Sequence, residues 1–136
     1  MSDKSARVVV LHSAEVQRAS MGDRVRARVK LERPSHGFYV GTAELGGVPS
    51  GDLRCSAEAA LDALSQAVSH VTPVTFDLRD VETFEAFGKE AVMVRLTVTI
   101  AHQSRTLMGF CPVGEDRAKA AARAILDATN RLLGVG

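Results

Sequence analysis

The residues best suited to hold a ligand surround two loops, each leading from a predicted strand into a predicted helix. They are Gly46, Gly47, Gly51, Gly109, Cys111 and Gly114. Free N–H groups and the dipole at a helix N-terminus favour a carboxylate or a phosphate, and glycine lets the backbone approach closely. The pattern makes these loops the best candidate site for a small anion, but the favoured interpretation is that the glycines only interrupt the chain at loops.

The two cysteines have a chemical and a structural interpretation. Cys111 precedes the second predicted helix, a position that can lower a thiol pKa. Glu115 and Asp116 follow closely and no base is evident, so an inert, buried thiol is favoured. Two cysteines are too few for the disulfide framework of a small secreted domain, so a reduced, cytoplasmic protein is expected and a Cys55–Cys111 disulfide is disfavoured.

A row of cations is the most distinctive charge feature. Its members alternate along one predicted strand and are Arg24, Arg26, Arg28 and Lys30. Such a row can grip phosphates or an acidic protein, but it can equally be a solvated face that protects a sheet edge. Glu32 and a net charge of only +1 favour the solvated face, and they argue against nucleic acid as a partner.

Motifs for catalysis, metal binding or membrane insertion are not evident in the sequence. The four histidines lack the spacing of metal ligands, and neither a catalytic triad nor a phosphate-binding P-loop can be placed. The apolar run at residues 8–11 is too short for a signal peptide or a membrane span. We therefore expect a protein that is not an enzyme, has no metal or cofactor, and does not enter a membrane.

Alternating apolar residues predict the strands of the first half. Residues 23–33 place Val25, Ala27, Val29 and Leu31 on one face. A turn at 34–37 and a strand at 38–45 follow, and residues 6–12, with 15–18 as a further candidate stretch, supply an earlier strand. Ser56 is predicted to cap a helix that runs to Val71 before Pro73, with Ala57, Ala60, Leu61, Leu64, Val68 and Val71 as its apolar stripe.

The second half repeats this order. Residues 74–84 predict a strand with a slip before Val81, and residues 91–101 alternate Val92, Val94, Leu96, Val98 and Ile100 inward. A turn at 102–105 leads to a strand at 106–110. A helix is predicted over 115–133, with Gly134 as the residue that ends it and Ala118, Ala121, Ala122, Ile125 and Leu132 as its apolar stripe.

The recurrence predicts an internal duplication within one domain, residues 1–136. Each half reads strand-strand-strand-helix, over about residues 6–71 and 74–134, and the helix phrases AALDAL and AILDAT correspond. About three extra residues precede the first helix. The predicted fold class is α+β, with two repeats whose helices pack on antiparallel sheet, and the free edges of such small sheets favour a homodimer.

The second half resembles the C-terminal regulatory domain of 2-isopropylmalate synthase and citramalate synthase. The stretches that carry the resemblance are VMVRLTVTIAHQSRTLMGF and DRAKAAARAILDATNRLL, with Val40–Ala43 and Ala57–Leu64 in the first half. The resemblance implies two strand-strand-strand-helix units and an end-product amino acid, leucine for the former enzyme, bound at a dimer interface. The family's Gly-x-Gly before the helix is absent here, because Gly109 is followed by Phe110 and Cys111.

Two functions follow as hypotheses. The first is a non-catalytic regulatory or small-molecule-binding module, a homodimer that takes a small carboxylate-bearing ligand or a protein partner. The second is a structural or interaction protein whose basic strand docks nucleic acid or an acidic protein.

Overall fold

The computed structural model describes residues 9–18, 24–46, 51–68 and 73–135, with side chains described as far as residue 130. The strands and helices follow one another twice in the same order. They are β1 Val10–Arg18, β2 Arg24–Arg33, β3 Gly37–Gly46, α1 Gly51–Val68, β4 Val74–Ala86, β5 Lys89–Ile100, β6 Gln103–Pro112 and α2 Arg117–Val135. Within these described ranges, neither helix is both long and apolar enough to cross a bilayer.

Two antiparallel three-stranded sheets form the framework. The first sheet has the order β1-β2-β3 and the second β4-β5-β6. Helix α1 packs on β2 and β3 and also contacts β4, while α2 packs on β5 and β6 and also contacts β1. The two helices also contact each other. Each repeat therefore covers part of the other repeat's sheet. The predicted α+β fold of two strand-strand-strand-helix repeats is confirmed.

Aliphatic side chains from the central strands fill the core. On β5, Val92, Val94, Leu96 and Val98 are buried as their alternation predicted, and on β2 Val25, Ala27, Val29 and Leu31 are buried likewise. The predicted stripes of both helices are buried at most of their described positions, because Ala57, Ala60, Leu61, Leu64, Val68, Ala121, Ala122 and Ile125 all lie in the interior. Ala118 is only half-buried, whereas Val71 and the side chain of Leu132 lie outside what the structure describes.

A β-bulge occurs at the same place in each sheet. The pairing of β1 with β2 shifts between Leu11 and Ser13, opposite Leu31 and Lys30. The pairing of β4 with β5 shifts between Leu78 and Asp80, opposite Leu96 and Arg95. The predicted slip before Val81 is this second bulge, and its counterpart in the first sheet supports the duplication.

A glycine and an aspartate explain why the helix phrase recurs. A Cβ on Gly41 would lie 2.1 Å from the Ala59 carbonyl oxygen, and a Cβ on Gly109 would lie 2.1 Å from the Ala124 carbonyl oxygen. Each glycine therefore lets a strand lie directly against its helix. The next residue then donates its backbone N–H to the helix, from Thr42 to Asp62 and from Phe110 to Asp127, each at 3.0 Å. These aspartates are the fourth residues of AALDAL and AILDAT.

The same anchor points locate the inserted residues. Gly41 precedes Ala59 by 18 positions, and Gly109 precedes Ala124 by 15. The first repeat thus has the three extra residues that were predicted, but they do not lengthen the connection between strand and helix. β3 runs two residues further past its glycine than β6 does, and α1 has one more residue before its alanine than α2 has.

Side chains from the helices satisfy backbone groups at all four edge strands. Asp62 and Asp127 accept from β3 and β6, as described. At the other edges Arg54 donates to the Leu78 carbonyl at 3.2 Å, and Asn130 donates to the carbonyl of Val9, just before β1, at 3.4 Å. These contacts partly blunt the edges, so edge pairing is a weaker reason for a dimer than the sequence indicated.

Ser56 does not cap the first helix. Helix α1 begins at Gly51, and Ser56 is buried within it, donating its hydroxyl to the Ala118 carbonyl of α2 at 2.7 Å. The prediction was wrong because burial of Leu53 and Cys55 extends the helix toward the N-terminus. The serine instead joins the two helices.

Other predicted boundaries also change. Gly134 lies within α2 and does not end it, because glycine permits a left-handed cap but does not impose one. The hairpin between β5 and β6 turns at Ala101 and His102, both with positive φ. Residues 103–105 therefore pair with β5 instead of forming the turn. β1 begins at Val10 and includes residues 15–18, while the predicted residues 6–8 lie outside the described chain.

Candidate functional site

The described glycines that were predicted to bind a ligand lie in separate local environments. Gly109 allows the close contact of β6 with α2, and Gly51 is a buried residue at the start of α1. Gly46 ends β3 beside Arg24, and a Cβ on Gly114 would meet open space. Gly47 lies outside the described residues. The predicted glycine loop is therefore not assembled as one site by the residues that the structure describes.

The two helix N-termini lie beside one hollow of about 700 Å³, together with the end of β1. Four carboxylates line it, from Glu15, Asp52, Glu115 and Asp116, against the cations Arg18 and Arg117. Asp116 Oδ1 already accepts from the backbone N–H groups of Ala118 and Lys119, at 3.0 and 3.1 Å. The hollow thus offers an anion fewer free N–H groups than a bare helix start does, and its carboxylates oppose an anion.

The basic row lies on the solvent face of the first sheet, as predicted. Arg24, Arg26 and Arg28 are exposed. Arg24 and Arg26 both contact Glu44, at 3.1 and 3.2 Å, and the Lys30 ammonium lies 4.6 Å from the centre of the Phe38 ring. Exposed pairs of this kind contribute little to stability, so the row remains available to a partner.

Both cysteines are free. Cys55 is fully buried, and its thiol contacts the carbonyl oxygens of Val25 and Ala43 at 3.3 and 3.2 Å. Burial raises the pKa of Cys55, and burial also raises the pKa of Cys111 despite the opposing charge of Arg123. Both groups are therefore thiols at neutral pH and not activated nucleophiles, as the favoured interpretation predicted, although Cys111 is only half-buried.

A cleft between the two sheets brings together residues that are far apart in sequence. The start of β1, at Val9 to Leu11, and the end of β6, at Phe110 to Pro112, form its walls. Its floor is one face of α2, with Arg123, Leu126, Asp127 and Asn130. These positions follow the i, i+3, i+4, i+7 spacing that aligns side chains along a helix. The cleft has a volume of about 610 Å³, within the range of small-molecule sites.

One buried polar atom of this cleft is unsatisfied. The Asn130 amide nitrogen donates to the Val9 carbonyl at 3.4 Å, which fixes the orientation of the amide. Its Oδ1 is buried and has no hydrogen-bond partner among the described residues. A buried acceptor without a donor costs about 1–3 kcal/mol. A ligand that supplied an N–H or O–H group would remove that cost.

The charges and apolar surfaces of the cleft define the ligand that it suits. Arg123 is exposed and forms no ion pair with a carboxylate in the part of the chain that the structure describes. A free guanidinium is a strong donor for a carboxylate. Leu11 is half-buried and Pro112 is exposed, so both supply apolar surface, whereas Val9 and Leu126 are almost fully buried. The arrangement therefore fits a small molecule with a carboxylate, a donor group and an apolar body.

Sequence reasoning identified only Cys111 of this set as a site residue. Arg123, Asp127 and Asn130 were missed, although their helical spacing beside the apolar stripe was a usable signal. Among the described residues, no group of three or more His, Cys, Asp and Glu side chains is placed to hold a metal ion.

Comparison with known proteins gives no match to a protein-family model and no match to a curated protein sequence. The resemblance to the 2-isopropylmalate synthase regulatory domain therefore stays a prediction.

Proposed function

We propose that this protein is a non-catalytic module that binds a small carboxylate-bearing molecule in the cleft between β1, β6 and α2. The observation that carries the proposal is the unsatisfied, buried Asn130 Oδ1 on the same helix face as the unpaired Arg123. Arg123 would bind the carboxylate and Asn130 would accept a hydrogen bond from the ligand. Leu11 and Pro112 would contact its apolar part.

The chemistry of the lining favours binding over catalysis. Cys111 is the one thiol among the described residues of the cleft, and burial raises its pKa. No histidine is among those lining residues to act as a base. A regulatory role follows by resemblance, since the 2-isopropylmalate synthase domain binds an effector without reacting it. That domain also acts as a dimer, and we include a homodimer in the proposal.

A thermal-shift screen against amino acids and small carboxylic acids tests this function. We expect one or more of them to raise the melting temperature, because a ligand at about 100 times its Kd stabilises a protein by about 2.7 kcal/mol. The matched amide of each acid should stabilise less, since it lacks the charge that Arg123 recognises.

Two arginine variants show whether the cleft is responsible. Arg123→Met should abolish most of the shift, whereas Arg28→Met, which removes an exposed arginine from the first sheet, should leave it unchanged. A panel without any stabilising carboxylate would contradict the proposal, and so would equal shifts for Arg123→Met and the parent.

The exposed basic row supports a second candidate function, docking of nucleic acid or an acidic protein. Arg24, Arg26 and Arg28 all face solvent on one strand. Binding of an oligonucleotide that weakens steeply with salt would favour this function. Its absence, together with stabilisation by a carboxylate, favours the cleft.

A further inference from the structure

The two repeats serve as controls for each other, because their strands can be aligned residue by residue. The bulges and the two glycines fix the correspondence, which places Leu31 at the position of Leu96 and Val29 at that of Val94. At these two positions the inward residues are identical. The shared fold does not account for differences between the two outward faces. These differences therefore indicate which surface contacts another molecule.

The outward faces change from polar to apolar at several neighbouring positions. Where the first sheet has Gln17, Arg26, Arg28 and Thr42, the second has Phe84, Ala91, Met93 and Phe110. In each sheet these positions lie on neighbouring strands, with Arg28 directly opposite Thr42 and Met93 directly opposite Phe110. The second sheet has therefore exchanged a polar surface for an apolar one.

The resulting outer apolar patch consists of Phe84, Met93, Met108 and Phe110. Phe84, Met108 and Phe110 are 36%, 51% and 55% exposed. Only five phenylalanines occur in the chain, and Phe76 alone is absent from the exposed large hydrophobic residues. Aromatic residues and methionine are enriched in the centres of protein interfaces. Their concentration here indicates a protein contact.

Phe87 extends this surface at the end of the same β-hairpin. It is fully exposed and adopts a φ of +56°, followed by Gly88 at +76°. Turns of this kind prefer Asn, Asp or Gly at the first position, and a bulky residue there is strained. Neither packing within the chain nor local backbone preference accounts for the phenylalanine, but contact with another molecule does.

We infer that the outer face of the second sheet is the contact surface of a twofold homodimer, centred on the outer apolar patch. This inference rests on the homodimer of the proposed function and names its surface. The charges beside the patch have both signs. Arg95 pairs with Asp80 and lies next to Glu82, which forms no ion pair among the described residues. A twofold axis through such a surface can place Glu82 of one copy near Arg95 of the other.

The available area matches a small dimer. With about 200 Å² per side chain, the exposed parts of Phe84, Phe87, Met108 and Phe110 amount to roughly 500 Å². A standard interface buries about 800 Å² on each partner, of which about 65% is apolar in homodimers. The second sheet thus supplies about the apolar area that one copy must contribute.

The test exchanges the outer residues between the repeats. A Phe84→Gln, Met93→Arg double variant gives the second sheet the residues of the first at two positions that do not line the cleft. Light scattering should give about twice 14.5 kDa for the parent and 14.5 kDa for the variant at the same micromolar concentration. The dimer Kd should rise roughly 30-fold or more, as for loss of central interface residues. Far-ultraviolet circular dichroism should show that both are folded.

The control is Phe38→Gln, because Phe38 is 51% exposed on the outer face of the first sheet. This variant should remain dimeric. A double variant that is folded and still dimeric would overturn the assignment of this surface but leave the dimer intact. A parent that is monomeric at all concentrations would overturn both. In either case the thermal-shift screen can still detect ligand in the cleft, so failure here is distinguishable from failure of the proposed binding function.

Discussion

Gly109→Ala should destabilise the protein by about 3 kcal/mol or more, because the added methyl group has no space. Its Cβ would lie 2.1 Å from the Ala124 carbonyl oxygen and 2.6 Å from the Ala128 nitrogen. Both obstructing atoms belong to the backbone of α2, so a side chain cannot simply rotate away. Relief would require the helix to move off β6, which would weaken the Phe110–Asp127 hydrogen bond. Equilibrium unfolding in urea measures the loss.

Gly41→Ala is the internal replicate of this experiment, since its Cβ would lie 2.1 Å from the Ala59 carbonyl oxygen. Gly114→Ala is the matched control, because nothing lies within 4 Å of its added Cβ; it should change the free energy of unfolding by no more than about 0.5 kcal/mol. If Gly109→Ala were as stable as Gly114→Ala, the close contact of strand and helix would be wrong. That result would instead support the interpretation in which Gly109 lets the backbone approach a ligand.

Leu96→Ala should cost roughly 2–5 kcal/mol, as should Ile125→Ala, because each leaves a cavity among aliphatic side chains. Both residues are fully buried in the core. Leu96 lies on β5 beside the bulge, and its side chain points toward the helices. The midpoint and slope of urea unfolding give the change in free energy.

Arg26→Ala is the surface control for this pair. Arg26 is exposed, and within the described residues its one ion pair is with Glu44, which Arg24 also contacts. Its loss should change stability by no more than about 0.5 kcal/mol. A Leu96→Ala protein as stable as the Arg26→Ala protein would mean that the inward face of β5 is assigned backwards.

The repeat architecture was predictable because local patterns encode it. Alternation along β2 and β5 identified the buried faces, and the helix phrases revealed the duplication. Local patterns did less well at boundaries. Ser56 resembled a helix cap, but tertiary burial of Leu53 and Cys55 outweighed that preference. Residues 102–105 were predicted as a turn, whereas the chain reverses at Ala101 and His102 in left-handed conformations that local preferences disfavour.

The candidate site was largely beyond sequence reasoning for a topological reason. Its walls come from the first strand and the sixth, and its floor from the last helix. Only the packing of α2 against β1 of the other repeat brings Val9 and Asn130 together. The sequence therefore directed attention to the loops that contain glycine. In the structure the described glycines either allow close packing of a strand on a helix or lie in separate local environments.

The most direct test of the central claim is to map where a carboxylate binds. Amide signals of the ¹⁵N-labelled protein would be followed by NMR during titration with 4-methylpentanoate, and separately with its neutral amide. The cleft predicts saturable shifts for Leu11, Cys111 and the Asn130 side-chain amide, larger with the acid than with the amide. Shifts confined to the helix starts near Asp52 and Asp116, or no saturable shifts with any acid that stabilises the protein, would contradict the assignment of the cleft as the binding site.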